Sequence, residues 1–139
     1  MKASQIRDGT ALLWFFAWLK DEIDQKESSI TEFEGCEKLT SFRAMQELYE
    51  GDSFHAIIGS GSNGAIIHYH PTKEDSKVMN PNEVILVDSG GQYHDGTTDT
   101  TRTIHFWKPT DYQKEMYTWV LKGNLEYERL VFPVKKKIK

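Results

Sequence analysis

The apolar spacing of this 139-residue chain changes at Gly51 from helical to strand-like, and no other feature constrains its fold as much. Before that point Ile6, Leu13, Trp14, Ala17 and Trp18 recur at helical intervals, while Leu12, Phe15, Phe16 and Leu19 fill the remaining sides. The pattern predicts a first helix apolar nearly all round, buried from more than one direction. Gly9 weakens its early turns by about 1 kcal/mol relative to alanine. The greasiest part, residues 11–19, is flanked by charge and is far shorter than the roughly 20 residues a bilayer span needs. Thr31-Glu-Phe-Glu34 matches a capping box and opens a second helix, with Phe33, Cys36, Leu39, Phe42, Met45 and Leu48 on its apolar side.

After Gly51, β-prone runs at 54–58, 65–69, 83–88 and 98–107 are separated by Gly, Asn and Pro, which predicts a meander of antiparallel strands. Thr110-Asp-Tyr-Gln113, just after Pro109, is another capping box and starts a third helix bearing Tyr112, Met116, Trp119, Val120 and Leu125. Helices grouped around an antiparallel sheet make an α+β domain rather than a doubly wound parallel one. The length suits one domain. A net charge of -4 gives no reason to expect nucleic acid or an anionic membrane as partner, and the Lys-rich run at 135–139 reads as a solvated basic tail. Cys36 is the one cysteine, so no intramolecular disulfide can form; with no leader pattern at the start, the expected setting is reducing and cytoplasmic.

Three groups of residues carry possible chemistry. Gly59-Ser-Gly-Ser-Asn-Gly64 fits the glycine pattern of a dinucleotide-binding turn, but the strand-like run after it and Pro71 leave no helix to receive a phosphate. A flexible connection between strands is the better account. His68 lies in Ile66-Ile-His-Tyr-His70, where strand alternation mixes polar and apolar residues on one face, as in a cleft wall; a structural hydrogen-bonding histidine is the plain alternative. His55, His94 and His105 have no metal-ligand spacing and read as surface or turn residues.

The third group is Asp88 and Asp99, eleven positions apart and each in a strand-like segment, so that two hard carboxylates could be held rigidly for divalent metals. The alternatives are a turn residue at Asp88, beside Ser89-Gly-Gly91, and an ion pair between Asp99 and Arg102. Register discriminates. A two-residue turn at Asp95-Gly96 would set the carboxylates roughly 13 Å apart along the strands. A shared metal site is expected to need Asp88 facing Asp99, with the turn centred on Tyr93-His94 and a bulge absorbed at Gly96.

The stretches Gly64-Ala-Ile-Ile-His-Tyr69, Asn82-Glu-Val-Ile-Leu-Val-Asp-Ser-Gly-Gly-Gln-Tyr93 and Asp95-Gly-Thr-Thr-Asp-Thr-Thr-Arg-Thr103 closely resemble aminopeptidase P, the Xaa-Pro aminopeptidase of the pita-bread metallopeptidases, in its cytosolic eukaryotic form. The likeness extends through Ile6-Arg-Asp-Gly9, Trp18-Leu-Lys-Asp-Glu22 and Tyr117-Thr-Trp-Val-Leu-Lys-Gly123. Prolidase and methionine aminopeptidase share the aspartate spacing but match these words less well.

The resemblance implies half of a pita-bread fold, in which two similar halves enclose two metal ions, commonly manganese. Five side chains hold the metals in that family: two aspartates from the first half, then a histidine and two glutamates from the second. Asp88 and Asp99 match the first two, Asp99 as the bridging one, and His68 matches a cleft histidine that helps hold the substrate. Such metals generate hydroxide from water near neutral pH and polarise the carbonyl before proline. The implied partners are peptides with proline second.

The expected organisation is a half-domain over residues 1–133 with a basic tail at 134–139. The other three ligands have no counterparts, which implies a truncated, spliced or incomplete gene product. Two carboxylates bind a divalent ion weakly, so the chain alone is expected to be inactive. A non-catalytic peptide- or protein-binding module is the competing reading. The uncovered half-domain face is expected to favour self-association.

Overall fold

The computed structural model describes residues 1–26 and 29–132. The expected basic tail at 134–139 lies outside the described residues. The chain divides into two units, Met1–Lys108 and Pro109–Lys139. The first holds helices α1 (Lys2–Lys26) and α2 (Glu32–Ala44) and strands β1 (Tyr49–Asp52), β2 (Ile57–Ser60), β3 (Ile85–Ser89), β4 (Gly91–Tyr93), β5 (Gly96–Thr97) and β6 (Thr100–Ile104). The second holds helix α3 (Asp111–Glu128).

Both capping boxes form. Thr31 accepts from the Glu34 amide while Glu34 accepts from the Thr31 amide at 2.9 Å, and Thr110 and Gln113 do the same at the start of α3. The α1 stripe differs from the expectation of burial from several directions. Ala11, Leu12, Phe15 and Leu19 are buried, whereas Leu13 is 69% exposed and Ile6 and Trp14 also face out. A single face at 3.6-residue spacing is what one packed layer can cover. In α2 the buried positions are Glu32, Gly35, Leu39 and Arg43, because a strict interval of three drifts off the face of a helix; Met45 and Leu48 lie past its end and are exposed.

The strands form two antiparallel sheets ordered β1-β4-β5 and β2-β3-β6. β3 alternates cleanly: Ile85, Val87 and Ser89 are buried while Leu86 and Asp88 are half-buried. The buried set joins Leu12, Phe15 and Leu19 of α1, Leu39 of α2, Ile58 and Met79 in one core. Each fully buried Leu, Ile or Phe there contributes about 1.5–3 kcal/mol. Asp88 therefore projects from the face of β3 opposite the helices.

The expected strand at 65–69 is absent. Residues Gly61–Ala65 form a 3-10 turn, and His68 follows in a left-handed turn with φ of 57°. A strand was expected there from Ile66-Ile-His-Tyr, but the left-handed residue breaks it. Gly59 explains the tight path: a Cβ there would lie 2.7 Å from the Gly64 backbone nitrogen. β1, which carries Glu50 and Gly51, was not expected from the sequence.

Candidate metal half-site

β3 runs through Gly90 into β4, and β5 runs through Thr98 and Asp99 into β6, so the two sheets share one long bent hairpin. Asp88 pairs with Thr101 and Ser89 with Thr100, while Gln92 pairs with Thr97 and Tyr93 with Gly96. One register holds across both sheets, and the loop is His94-Asp95. This corrects both alternatives drawn from the sequence. The turn is at neither Asp95-Gly96 nor Tyr93-His94, and the irregularity expected at Gly96 sits in β1 between Tyr49 and Gly51.

Asp88 does not face Asp99. Asp99 lies two residues before Thr101, in the segment between β5 and β6, and strand alternation carried across that segment assigns it to the face of Thr101 and Asp88. The direct pairing expected of a shared metal site is therefore not what the register gives, although a period of two keeps diagonal residues on one face as well. Asp88 is half-buried, Asp99 is exposed, and Thr98 beside it is buried.

Side chains fix this arrangement. The Thr101 hydroxyl donates to Asp88 Oδ1 at 2.8 Å. Arg102 Nη1 donates to the Thr101 carbonyl at 2.7 Å, and among the described residues no ion pair joins it to Asp99. At the bend, Ser53 bridges both arms: its amide donates to the Gly90 carbonyl at 3.0 Å and its hydroxyl to the Thr98 carbonyl at 2.8 Å. A Cβ on Gly90 would collide with that Thr98 carbonyl. Below the sheet Arg43, fully buried, donates to Asp8 Oδ1 at 2.7 Å and to the Ser89 hydroxyl at 3.0 Å, and the Tyr93 hydroxyl donates to Asp8 at 3.1 Å. Arg43 thus grips the residue next to Asp88. Neither Asp8 nor Arg43 drew attention in the sequence, since a lone charge in a helix looks solvated until its partner is known.

His68 is exposed, at the third position of a turn closed by the Tyr69 amide on the Ile66 carbonyl at 3.1 Å. The preceding 3-10 turn packs on the outer face of the sheet: a Cβ on Gly64 would lie 3.3 Å from Leu86 Cβ. Leu86 and Asp88 share that face. His55 and His94 are exposed, as expected; the His55 and His70 rings lie 5.1 Å apart, and His94 Nε2 contacts Glu50 at 2.6 Å. His105 is half-buried and accepts from the Trp107 amide at 3.1 Å.

Among the described residues no three His, Cys, Asp or Glu side chains are grouped so as to hold a metal. The carboxylate oxygens of Asp88 and Asp99 are donors of the kind that suits a hard divalent ion. No described helix is long and apolar enough to cross a membrane.

The model of metallopeptidase family M24 matches residues 1–139, the whole chain. The chain belongs to metallopeptidase family M24. An Xaa-Pro aminopeptidase of Drosophila melanogaster is 53% identical over 134 residues, covering 96% of this chain and 22% of the relative. The crystal structure of an X-prolyl aminopeptidase from Caenorhabditis elegans, described as a cytosolic enzyme with a di-nuclear active site, superposes with a TM-score of 0.87 at 37% identity, covering 96% of this chain and 22% of that one. Aminopeptidase P of Escherichia coli matches in two variants, each with one aspartate changed to alanine and those aspartates eleven positions apart; the TM-scores are 0.67 and 0.69 at 25% and 26% identity, with coverage of 95% and 94% of this chain and 28% of each of those chains. The M24 chain described here spans about a fifth of the length of its curated relatives. Its fold is the α+β, pita-bread architecture of these M24 enzymes, in part.

Proposed function

We propose that the protein carrying this chain is a metal-dependent Xaa-Pro aminopeptidase, in which Asp88 and Asp99 are two of the metal-holding side chains and His68 holds the peptide substrate. One relationship carries the reading: Asp88 pairs with Thr101 in the β3/β6 ladder, and alternation along the chain assigns Asp99, two residues before Thr101, to the same face. The eleven-residue spacing of the aspartates altered in the Escherichia coli enzyme supports it. A pair of divalent ions, when bound, supplies Lewis acidity toward water and the scissile carbonyl. The chain's own residues hold and orient. Thr101 engages one oxygen of Asp88, and the remaining Asp88 oxygen together with the exposed Asp99 carboxylate would hold the metal.

Manganese fits this all-oxygen contribution. The substrates are peptides with proline at the second position. Cytoplasmic placement follows the nematode relative, a cytosolic enzyme. Because two carboxylates are an incomplete site, the chain alone is inactive. The exposed Ile67, Leu13 and Trp107 favour self-association of the isolated chain, which light scattering reads directly.

The test uses manganese and an Arg-Pro-Pro tripeptide. The full-length protein releases arginine, Asp99→Ala abolishes the release, and this chain alone releases none. Release that survives Asp99→Ala, or none from the full-length protein, overturns the reading.

A further inference from the structure

Glu32, the first residue of α2, is fully buried, far from both aspartates in sequence and on another element. A carboxyl removed from water is tolerated as an ion only where donors replace its hydration. Glu32 has four such groups. Its Oε1 accepts from the Ser60 amide at 2.7 Å, and its Oε2 from the Tyr69 hydroxyl at 2.7 Å and the Lys77 amide at 2.9 Å. The Asn63 side-chain amide reaches both oxygens at 3.1 Å. Its place in the first turn of α2 adds the favourable end of the helix dipole.

All four donors come from one stretch, 60–77, and His68 is near its middle. On either side of His68 the chain is tied back: the Ile66 amide donates to the Asn63 carbonyl at 3.1 Å, and Tyr69 is anchored to Glu32. Burial first, and then the bond to Glu32, push the Tyr69 hydroxyl up to about 12, so it remains a donor throughout the neutral range. His68 itself sits in the left-handed region, which costs a side-chain-bearing residue free energy and persists only where the surroundings impose it.

We propose that Glu32 is a positioning residue for His68: through Asn63 and Tyr69 it fixes the left-handed turn that presents the imidazole on the Asp88 side of the sheet. The proposal rests on the reading of His68 as a substrate-holding group. Glu32 also accepts from the Ser60 amide of β2, so the contact that separates substrate handling from metal binding is the one with Tyr69.

The experiment uses the full-length protein with Tyr69→Phe and Glu32→Gln. Tyr69→Phe removes one hydroxyl and leaves Glu32 its other donors, so it decides the matter even where Glu32→Gln fails to fold. Hydrogen exchange at the Tyr69 and Lys77 amides is expected to speed up by about tenfold or more, with the amides of Ile85–Ser89 unchanged. The kcat for an Xaa-Pro peptide falls by about tenfold while manganese affinity stays the same. Unchanged exchange at Tyr69 overturns the proposal, as does faster exchange with kcat intact, or kcat and manganese affinity falling together. A wild-type protein that cleaves no Xaa-Pro peptide sinks the functional reading instead, and the exchange result then decides by itself whether Glu32 fixes the turn.

Discussion

Thr101 faces Asp88 across the β3/β6 pair and donates its hydroxyl to Asp88 Oδ1 at 2.8 Å. That pairing sets Asp99 diagonally across from Asp88, and it depends on the hairpin passing through Gly90 without a side chain. Gly90→Ala drives a Cβ into the Thr98 carbonyl and the Ser53 hydroxyl. The expected cost is about 1–3 kcal/mol in urea unfolding, with lost exchange protection at the Thr98 amide, which donates to the Gly91 carbonyl. Unchanged stability and protection would show that the bend tolerates a different path.

Arg43 and Asp8 form a buried ion pair under the same hairpin, at 0% and 2% exposure. Arg43→Met strands the Asp8 charge with Tyr93 as its one remaining donor among the described residues, and the expected loss is about 3–5 kcal/mol. Among the described residues Arg43 Nη1 has no hydrogen-bond partner, so the pair is imperfectly compensated. The double variant Asp8→Asn with Arg43→Met should therefore recover part of the loss, and a double variant less stable than Arg43→Met alone contradicts this account.

Cys36 is packed beside the core and its thiol donates to the Ala56 carbonyl at 3.3 Å. Burial raises its pKa to about 12. Thiolate is the reactive form, so at about pH 8 iodoacetamide should modify Cys36 at least about a hundredfold more slowly in the folded chain than in urea. Mass spectrometry over time gives the ratio. Equal rates would mean that α2 does not hold the thiol against β2.

Glu83 is held below its usual pKa, first by the hydrogen bond from Lys77 Nζ at 2.7 Å. A carboxyl whose folded pKa is lowered stabilises the fold above its unfolded value, and that contribution disappears as pH falls through the folded one. Urea midpoints from about pH 6 to about pH 3 should drop more steeply for the wild type than for Glu83→Gln. Parallel curves would remove Glu83 from the acid-sensitive set.

What was legible in the sequence was local. The Thr31 and Thr110 capping boxes needed only their own four residues, and both formed. β1 was missed because Glu50 and Gly51 suit a strand poorly, and its pairing with β4 comes from far along the chain. The Ile66-Ile-His-Tyr stretch looked like a strand because its propensity is β, yet Glu32, from another element, gathers it into a turn. Spacing and family likeness together single out the aspartate pair, and the register lies two residues from the one expected. Asp8, Glu32 and Arg43 gave no signal, since burial of a charge is decided by tertiary partners.

The central claim is that Asp88 and Asp99 form a divalent half-site on one face. Manganese added to the 15N-labelled chain should broaden the amide signals of Asp88, Asp99, Thr100 and Thr101 first, and Asp88→Asn or Asp99→Asn should each abolish that pattern. Broadening centred on other acidic residues, or unchanged in both variants, would contradict it.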